Sequence, residues 1–387
     1  MHPSYVRQLH ASQIFHALRV RPGISQRELC ELTGCDKSTV SVIIKRFEEL
    51  ELVERFQGQS EGQRGRPLEK LRLSEHQGLL VGVHLELGVL RTVASTIGGK
   101  PLDRFDAPLP AHPTELAASV RQSIATLCAK IDRSPEEIRG VGVCLPGLVR
   151  SGGRLAHSPQ LHWTDVPIQD LLRESVSAPI YVDNDTNAAA LAEHMFGACT
   201  ELDDFVMLQG GSGIGGGMFL NGRLYRGKNG YAAELGHIKV VKDGRICSCG
   251  SMGCVSAYIS TGQLVERLTP YDAEIRSIED LRFKAESGDA TVLDILEEAG
   301  EFLGVAVSDI INSFNPPAIV LAGTLAVLEP YFRRGLRRSL RQNTMPVTLE
   351  QVEITVSTLS VDPILRAGVA LALEGFTSLD KPEATPW

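Results

Sequence analysis

A cluster of side chains that can bind a metal ion lies in the second half of the chain. One histidine and three cysteines follow the spacing His-x9-Cys-x-Cys-x4-Cys, and glycines stand among the cysteines. One imidazole and three thiolates are a donor set that Zn²⁺ favours in tetrahedral structural sites. Cysteines that never meet a metal are the alternative, but four ligands so close together favour the metal. The sequence therefore predicts a structural zinc site with the ligands His237, Cys247, Cys249 and Cys254.

Three further segments are dense in groups that can contact a ligand. Residues 183–187 read Asp-Asn-Asp-Thr-Asn at a predicted strand-to-helix junction, which is more polarity than a single helix cap requires. Residues 209–217 are rich in glycine, which allows backbone amides to approach a phosphate but also occurs where strands cross tightly. Residues 234–237 hold a glutamate beside the metal cluster. Such a density of hydrogen-bonding groups favours a ligand with many hydroxyls.

The elements that must position these segments are strands and helices in a repeated order. Two runs of short strands with glycine turns begin near Leu79 and near Phe205, and helices and buried strands follow each run. We predict an α/β fold with two similar lobes and a cleft between them, where the polar segments meet. The predicted boundaries are lobe 1 at 79–200, lobe 2 with the zinc site at 201–375, and a frayed tail at 376–387.

A different pattern precedes the lobes, in residues 1–75. Ser25 and Glu28 form a capping box, Gly34 ends that helix, and Asp36 caps the next helix, which together predict a helix-turn-helix. Two short strands that flank a Gly/Arg-rich loop with Arg64 and Arg66 predict a wing after it. A protein-interaction module with an exposed basic loop is the alternative. The candidate DNA contacts are Lys37, Ser38, Thr39 and Ser41 to base edges, Lys45 and Arg46 to phosphates, and Arg64 and Arg66 of the wing to the minor groove.

Charge and composition agree with a small DNA-binding head on a larger acidic body. The whole chain has a formal net charge of −8, but residues 1–75 carry 12 Lys/Arg against 10 Asp/Glu, while the remainder carries 27 against 37. No apolar run approaches the roughly 20 residues needed to span a bilayer, and the first residues lack a signal-peptide pattern. The cysteines are typical of metal ligands and core residues in a reducing compartment. We therefore expect a cytoplasmic protein without membrane insertion.

The ordered set of motifs resembles the ROK family of repressors and sugar kinases over almost the whole chain. Residues 161–163, 183–193, 210–237 and 244–254 carry the resemblance. It implies a two-lobed actin-like (ribonuclease-H-like) ATPase fold, and the winged head looks like that of the repressor branch, which includes xylose and N-acetylglucosamine regulators. By resemblance, His237 belongs to the family's zinc set, and the sugar contacts are Gly147, Asn184, Asp185, Glu234 and His237.

Two departures from the family pattern bear on activity. The kinases begin the body with a phosphate-binding turn of the form Asp-x-Gly-Gly-Thr-Lys, whereas residues 84–91 here read His-Leu-Glu-Leu-Gly-Val-Leu-Arg. A glutamate and a bulky leucine at that place oppose ATP, so we expect no enzyme activity and interpret Asp185 as a relic of the catalytic base. Ser256 stands where the family usually has a sugar-binding glutamate, which weakens the implied sugar geometry there.

The sequence therefore favours a sugar-responsive regulator that represses genes for carbohydrate uptake or catabolism. A homodimer or homotetramer would place its heads on an operator DNA, and a sugar or sugar phosphate would shift the population of DNA-competent states. Two alternatives stay open. One is a sugar kinase with an accessory head, supported by the glycine-rich turn and Asp185; the other is a regulator controlled by a protein partner.

Overall fold

The N-terminal head is a helix-turn-helix with a two-stranded sheet. The computed structural model describes residues 3–57, 69–359, 363–378 and 387 of the chain. The elements of the head are α1 (Pro3–Val20), α2 (Gln26–Thr33), α3 (Lys37–Glu49) and the antiparallel strands β1 (Val53–Gln57) and β2 (Glu69–Leu73).

Local hydrogen bonds explain why the helices of the head begin and end where they do. The Ser25 backbone N–H donates to Glu28 Oε2 at 2.8 Å, which completes the capping box at the start of α2. Gly34 ends α2 with a φ of 70°, a left-handed conformation that glycine adopts without strain. Asp36 then accepts two backbone N–H groups from the first turn of α3, at 2.8 and 3.0 Å. The predicted helix-turn-helix is confirmed.

Lobe 1 is a mixed sheet of order β10-β6-β3-β4-β5 with helices on its faces and a small three-stranded sheet, β7-β8-β9, beside it. Its elements are β3 (Leu79–Glu86), β4 (Val89–Thr96), β5 (Pro101–Pro108), α4 (Leu116–Lys130), β6 (Ile138–Leu145), β7 (Leu148–Arg150), β8 (Arg154–Ser158), β9 (Trp163–Val166), α5 (Ile168–Arg173), β10 (Ile180–Asn184) and α6 (Asp185–Phe196).

Lobe 2 repeats this arrangement with a sheet of order β13-β12-β11-β14-β15. In each lobe three antiparallel strands are followed by two parallel strands on the other side of the first. The predicted duplication is therefore present in the sheets. The elements are β11 (Phe205–Gly210), β12 (Ile214–Leu220), β13 (Arg223–Leu224), α7 (Ser256–Ile259), α8 (Thr261–Leu268), α9 (Ile278–Glu286), α10 (Ala290–Phe314), β14 (Ala318–Gly323), α11 (Thr324–Asn343), α12 (Pro346–Leu349), β15 (Glu353–Val356) and α13 (Pro363–Thr377).

The last helix corrects the predicted boundary of lobe 2 at residue 375. Helix α13 follows β15 in the chain, but it packs on β3 and β6 of lobe 1. The approach is so close that a Cβ on Gly142 would collide with the Gly368 carbonyl oxygen and lie 2.6 Å from the Ala372 nitrogen. The chain therefore crosses back, and α13 belongs structurally to lobe 1.

The C-terminal residues pack between lobe 1 and the head, so the prediction of a frayed tail at 376–387 is wrong at its described ends. Phe376 is 2% exposed and its ring lies 5.7 Å from that of Phe15 in α1. Trp387 stacks on Phe15 at 5.6 Å and also contacts Phe47 of α3 at 5.2 Å. Aromatic burial explains this packing, and one hydrophobic core runs from the head into lobe 1.

No helix in the described ranges is long and apolar enough to cross a membrane.

Candidate functional site

A cavity of about 530 Å³ lies between the two lobes. Lobe 1 contributes the start of α6 and the turn before β7, while lobe 2 contributes the glycine-rich turn between β11 and β12 and the metal cluster. The polar segments that were predicted to meet in a cleft do meet here. The cavity wall includes all five residues predicted to contact a sugar, namely Gly147, Asn184, Asp185, Glu234 and His237.

The junction of β10 and α6 presents two of these residues. Asn184 caps α6, because its Oδ1 accepts backbone N–H groups from Thr186 at 2.8 Å and Asn187 at 3.1 Å. Its Nδ2 donates to the Gly147 carbonyl at 3.1 Å, which fixes the orientation of the amide. The next residue, Asp185, begins the helix and lies on the cavity wall. The polar cluster thus both caps the helix and lines the cavity.

The two carboxylates on the wall hold their protons more tightly than usual. Burial raises the pKa of Asp185 to about 6, against hydrogen bonds from Thr186 that lower it. Burial also raises the pKa of Glu234, and the charge of Asp185 adds to that increase. Among the described residues that line the cavity there is neither lysine nor arginine. The site therefore has strong hydrogen-bond acceptors and no fixed positive charge.

The donor atoms of the predicted metal cluster lie together. The donor atoms of His237, Cys247, Cys249 and Cys254 are all within 4.8 Å of one another. Cys249 Sγ and Cys254 Sγ are 3.8 Å apart, and Cys247 Sγ is 3.7 Å from His237 Nδ1. Zinc bonds to sulfur of about 2.3 Å give a tetrahedron with edges of about 3.8 Å. These two separations match that edge, so the donor set suits zinc.

Histidine 237 joins the metal cluster to the cavity through its two ring nitrogens. Nδ1 faces Cys247 Sγ, whereas Nε2 lies 3.7 Å from Glu234 Oε2. One nitrogen can therefore bind a metal while the other faces Glu234. The turn that brings the cysteines together requires Gly253, which has a φ of +74° and whose missing Cβ leaves room for the Val241 carbonyl oxygen.

The segment predicted to stand in place of the kinase phosphate-binding turn is a hairpin between β3 and β4. Glu86 Oε2 pairs with Arg91 at 3.1 Å, and Leu87 at the tip is 67% exposed. His84 is 5% exposed, and burial lowers its pKa to about 3, so the ring is neutral. Neither ring nitrogen of His84 has a hydrogen-bond partner in the described part of the chain. None of these residues lines the cavity.

Sequence reasoning missed how two residues, Ser256 and Arg226, support the site. Ser256 Oγ accepts the Ile214 backbone N–H at 3.2 Å, so this serine holds the glycine-rich turn. Arg226 donates to Asp183 and to Glu374, and these two carboxylates raise its pKa although burial opposes the charge. Arg226 lies in the motif at 210–237, but a local motif cannot show which distant acids an arginine meets.

The predicted DNA contacts in the described part of the head lie on α3. Lys37, Ser41, Lys45 and Arg46 are exposed. The hydroxyls of Ser38 and Thr39 bind Asp36 as part of the helix cap. The wing, with Arg64 and Arg66, lies outside the described residues.

Comparisons with known proteins agree with this architecture. A family model described as "ROK family" matches residues 85–371, and a model described as "MarR family" matches residues 8–66. The chain is 27% identical over 380 residues to the xylose repressor of Bacillus spizizenii, which covers 98% of each protein. It is 26% identical over 325 residues to a glucokinase of Halalkalibacterium halodurans, which covers 79% of this chain and 98% of the kinase.

Among solved structures, a ROK family transcriptional regulator described as a homolog of the Escherichia coli MLC protein superimposes with a TM-score of 0.83. It is 24% identical, and the match covers 96% of each chain, so the head and both lobes share its fold. Because the family model matches most of its length, the chain belongs to the ROK family.

Proposed function

We propose that the protein is a repressor that binds operator DNA through its head and responds to a sugar bound between its lobes. One observation carries this proposal: the head shares a hydrophobic core with lobe 1, whose helix α6 begins on the cavity wall and ends beside the head. A xylose repressor aligns with the head and both lobes, whereas a glucokinase aligns with about four-fifths of the chain. The genes it controls would serve carbohydrate uptake or catabolism, and the protein itself would act in the cytoplasm.

Operator recognition would rest on α3. Its exposed first turn and the exposed Lys45 and Arg46 suit contacts to base edges and phosphates respectively. Arg64 and Arg66 of the predicted wing would enter the minor groove. A homodimer or homotetramer would place two heads on half-sites separated by one or more helical turns of DNA.

The effector that suits this cavity is an uncharged sugar. Asp185 and Glu234 can accept hydrogen bonds from hydroxyls, and the Asn184 amide stands beside them. A phosphate ester would meet these carboxylates with no cation on the described wall to balance it, and like charges repel strongly in a desolvated cleft. We therefore favour a neutral monosaccharide over a sugar phosphate.

Zinc would hold the lobe 2 side of the cavity rigid. The ligands would be His237 through Nδ1 and the thiolates of Cys247, Cys249 and Cys254. Lys239 Nζ lies 2.9 Å from Cys254 Sγ and would stabilise the thiolate. The ion would supply structural stability and leave His237 Nε2 to face Glu234 and the sugar.

A sugar kinase is the second candidate, because Asp185 and the glycine-rich turn match the kinases of the family. Phosphoryl transfer needs a cradle that positions and neutralises phosphate. The chain has at that place a buried neutral His84 and a Glu86 carboxylate that contributes to the raised pKa of Asp185. We therefore propose that the protein has no kinase activity.

The test is fluorescence anisotropy on a labelled duplex from upstream of the protein's own gene, titrated with D-xylose, D-glucose and their phosphate esters. We expect specific binding that one neutral sugar weakens and that phosphate esters leave unchanged. Tight binding that no sugar alters would favour control by a protein partner. No specific binding, together with ATP-dependent phosphorylation of a sugar, would replace the repressor by the kinase.

A further inference from the structure

Arg226 joins the two lobes through three hydrogen bonds to carboxylates. It follows β13 of lobe 2, and its Nε donates to Asp183 of β10 at 2.6 Å. Its two terminal nitrogens donate to both oxygens of Glu374 on α13, at 3.2 and 2.6 Å. A guanidinium bound bidentately to a carboxylate has a fixed orientation. Since Asp183 and Glu374 both belong to the body of lobe 1, Arg226 is a tie between the lobes.

One end of this tie reaches the cavity wall. Asp183 Oδ1 accepts the Asn184 backbone N–H at 2.7 Å and the Asn187 side-chain amide at 3.1 Å, so Asp183 fixes the turn that presents the ligand-facing residues of lobe 1. In lobe 2, Arg226 lies on the same loop as Glu234, which faces the cavity from the other side. A change in the distance between the two cavity walls must therefore stretch or bend the hydrogen bonds that Arg226 makes to Asp183 and Glu374.

The other end of the tie reaches the head. Glu374 lies one helical turn before Thr377 on α13, and Thr377 Oγ1 is 3.1 Å from His16 Nε2 of α1. Beside it, Phe376 packs against Phe15. Helix α6 makes a second contact with the head at its C-terminal end, where Arg19 of α1 donates to one of the backbone carbonyls of α6 at 2.8 Å. The head thus contacts two helices of lobe 1, of which α6 begins on the cavity wall and α13 is bound by Arg226.

We propose that Arg226 is the positioning residue that transmits sugar occupancy to the DNA-binding head. This inference rests on the proposed function. A sugar that draws Glu234 toward Asn184 moves the lobe 2 loop, and Arg226 cannot follow without displacing Glu374 or Asp183. Glu374 and the residues that contact α1 lie at the same end of α13. A displacement of Glu374 therefore changes the position of α1 relative to lobe 1. Sugar binding then shifts the population of head orientations that fit the operator.

The test measures how strongly one ligand affects the other, in the zinc-loaded full chain. Arg226→Gln removes the pairing with both Asp183 and Glu374, whereas Glu374→Gln removes only the ion pair on the side of the head. Arg267→Gln is the control. Arg267 pairs with Glu298 inside lobe 2, so it matches the charge and the ion pair but lies off the proposed route. The readout is DNA affinity with and without saturating D-xylose, together with D-xylose affinity by calorimetry.

In the wild type and in Arg267→Gln we expect D-xylose to weaken DNA binding by about 10-fold or more, in the usual range of coupling between two sites. In Arg226→Gln the ratio of DNA affinities should fall to about 1, while each ligand alone binds within roughly threefold of wild type. Glu374→Gln should also lower the ratio and retain sugar binding. An Arg226→Gln variant that keeps the wild-type ratio would overturn the proposal.

A second readout separates this proposal from the proposed function. If the wild type responds to no neutral sugar or does not bind the duplex, the assignment as a sugar-responsive repressor fails. Amide hydrogen exchange of the free chains then tests the connection between Arg226 and the head by itself. Faster exchange in α1 and at the end of α13 in Arg226→Gln and Glu374→Gln, but not in Arg267→Gln, supports a physical connection to the head. Equal exchange in all three variants refutes it.

Discussion

Replacing the cavity carboxylate Asp185 with asparagine should stabilise the free protein at neutral pH. Burial raises its pKa from 3.8 to about 6, so ionising it costs free energy in the folded state that it does not cost in the unfolded state. A shift of that size corresponds to about 3 kcal/mol at most. Because Asp185 is only half-buried on the cavity wall, solvent screening reduces the effect, and we expect a gain of about 1–3 kcal/mol for Asp185→Asn.

The pH dependence gives this prediction its sign. Between pH 3.8 and about 6 the folded wild type holds a proton that the unfolded chain has released, so rising pH lowers its stability across that window. Above pH 6 the loss is complete and constant. The variant does not titrate there, so its advantage should be near zero at pH 4, grow between pH 4 and 6, and level off.

The measurement is urea unfolding of zinc-loaded wild type and Asp185→Asn at several pH values, plotted as the difference in unfolding free energy. Taking the difference cancels the other groups that titrate in both proteins. A variant that is less stable than wild type at pH 7.5 would refute the reasoning, because the ionised carboxylate would then be stabilising. A constant difference across the pH range would also contradict it.

The neighbouring Asp183→Asn variant is the matched control and should behave in the opposite way. Its carboxylate receives Arg226 Nε at 2.6 Å and two further hydrogen bonds, so its charge is compensated where that of Asp185 is not. Removing one partner of a buried ion pair is destabilising, and because Arg226 keeps Glu374 we expect a cost of about 1–3 kcal/mol. Two aspartates of one turn should therefore shift stability with opposite signs at neutral pH.

Three further perturbations test other parts of the structure. Cys254→Ser should abolish zinc binding, measured by metal analysis, and lower the melting temperature by about 5 °C or more. Gly142→Ala should destabilise by about 2 kcal/mol in urea, because its Cβ meets the Gly368 carbonyl, whereas Gly262→Ala, with no atom within 4 Å, should be neutral or slightly stabilising. Lys45→Ala should weaken DNA binding about equally on all sequences and reduce the salt slope by about 1.

Much of the site could be predicted because its signals are local. The capping box and Asp36 act through hydrogen bonds within a few residues, so sequence spacing was sufficient. The metal donors span 237–254, and their convergence follows from ligand chemistry and the glycines between them. Five cavity residues were predicted by resemblance, and they line one cavity from both lobes. In each case the physical partner lies close in sequence or belongs to a motif.

The contacts that were missed join parts of the chain that lie far apart. The hydrophobic pattern of α13 predicts a buried helix but not the lobe that buries it, since either sheet offers an apolar face. The deciding feature is the close approach of Gly368 to Gly142, which only the folded backbone reveals. The boundary at residue 375 and the tail at 376–387 were therefore placed by order in the chain, and chain order is a poor guide when a helix crosses back.

The same limit explains why Arg226 was missed although it lies inside a recognised motif. The side chain of Arg226 is 32% exposed, and a partly buried guanidinium favours a carboxylate partner. The chain offers 47 acidic residues, and spacing cannot select the two that lie 43 and 148 residues away. Asp183 holds the turn at the cavity, and Glu374 lies near the end of α13 that contacts the head. The pairing of Arg226 with both acids therefore connects the cavity to the head, which no single sequence motif shows. Residues that connect sites are thus the ones for which a structure adds most to sequence reasoning.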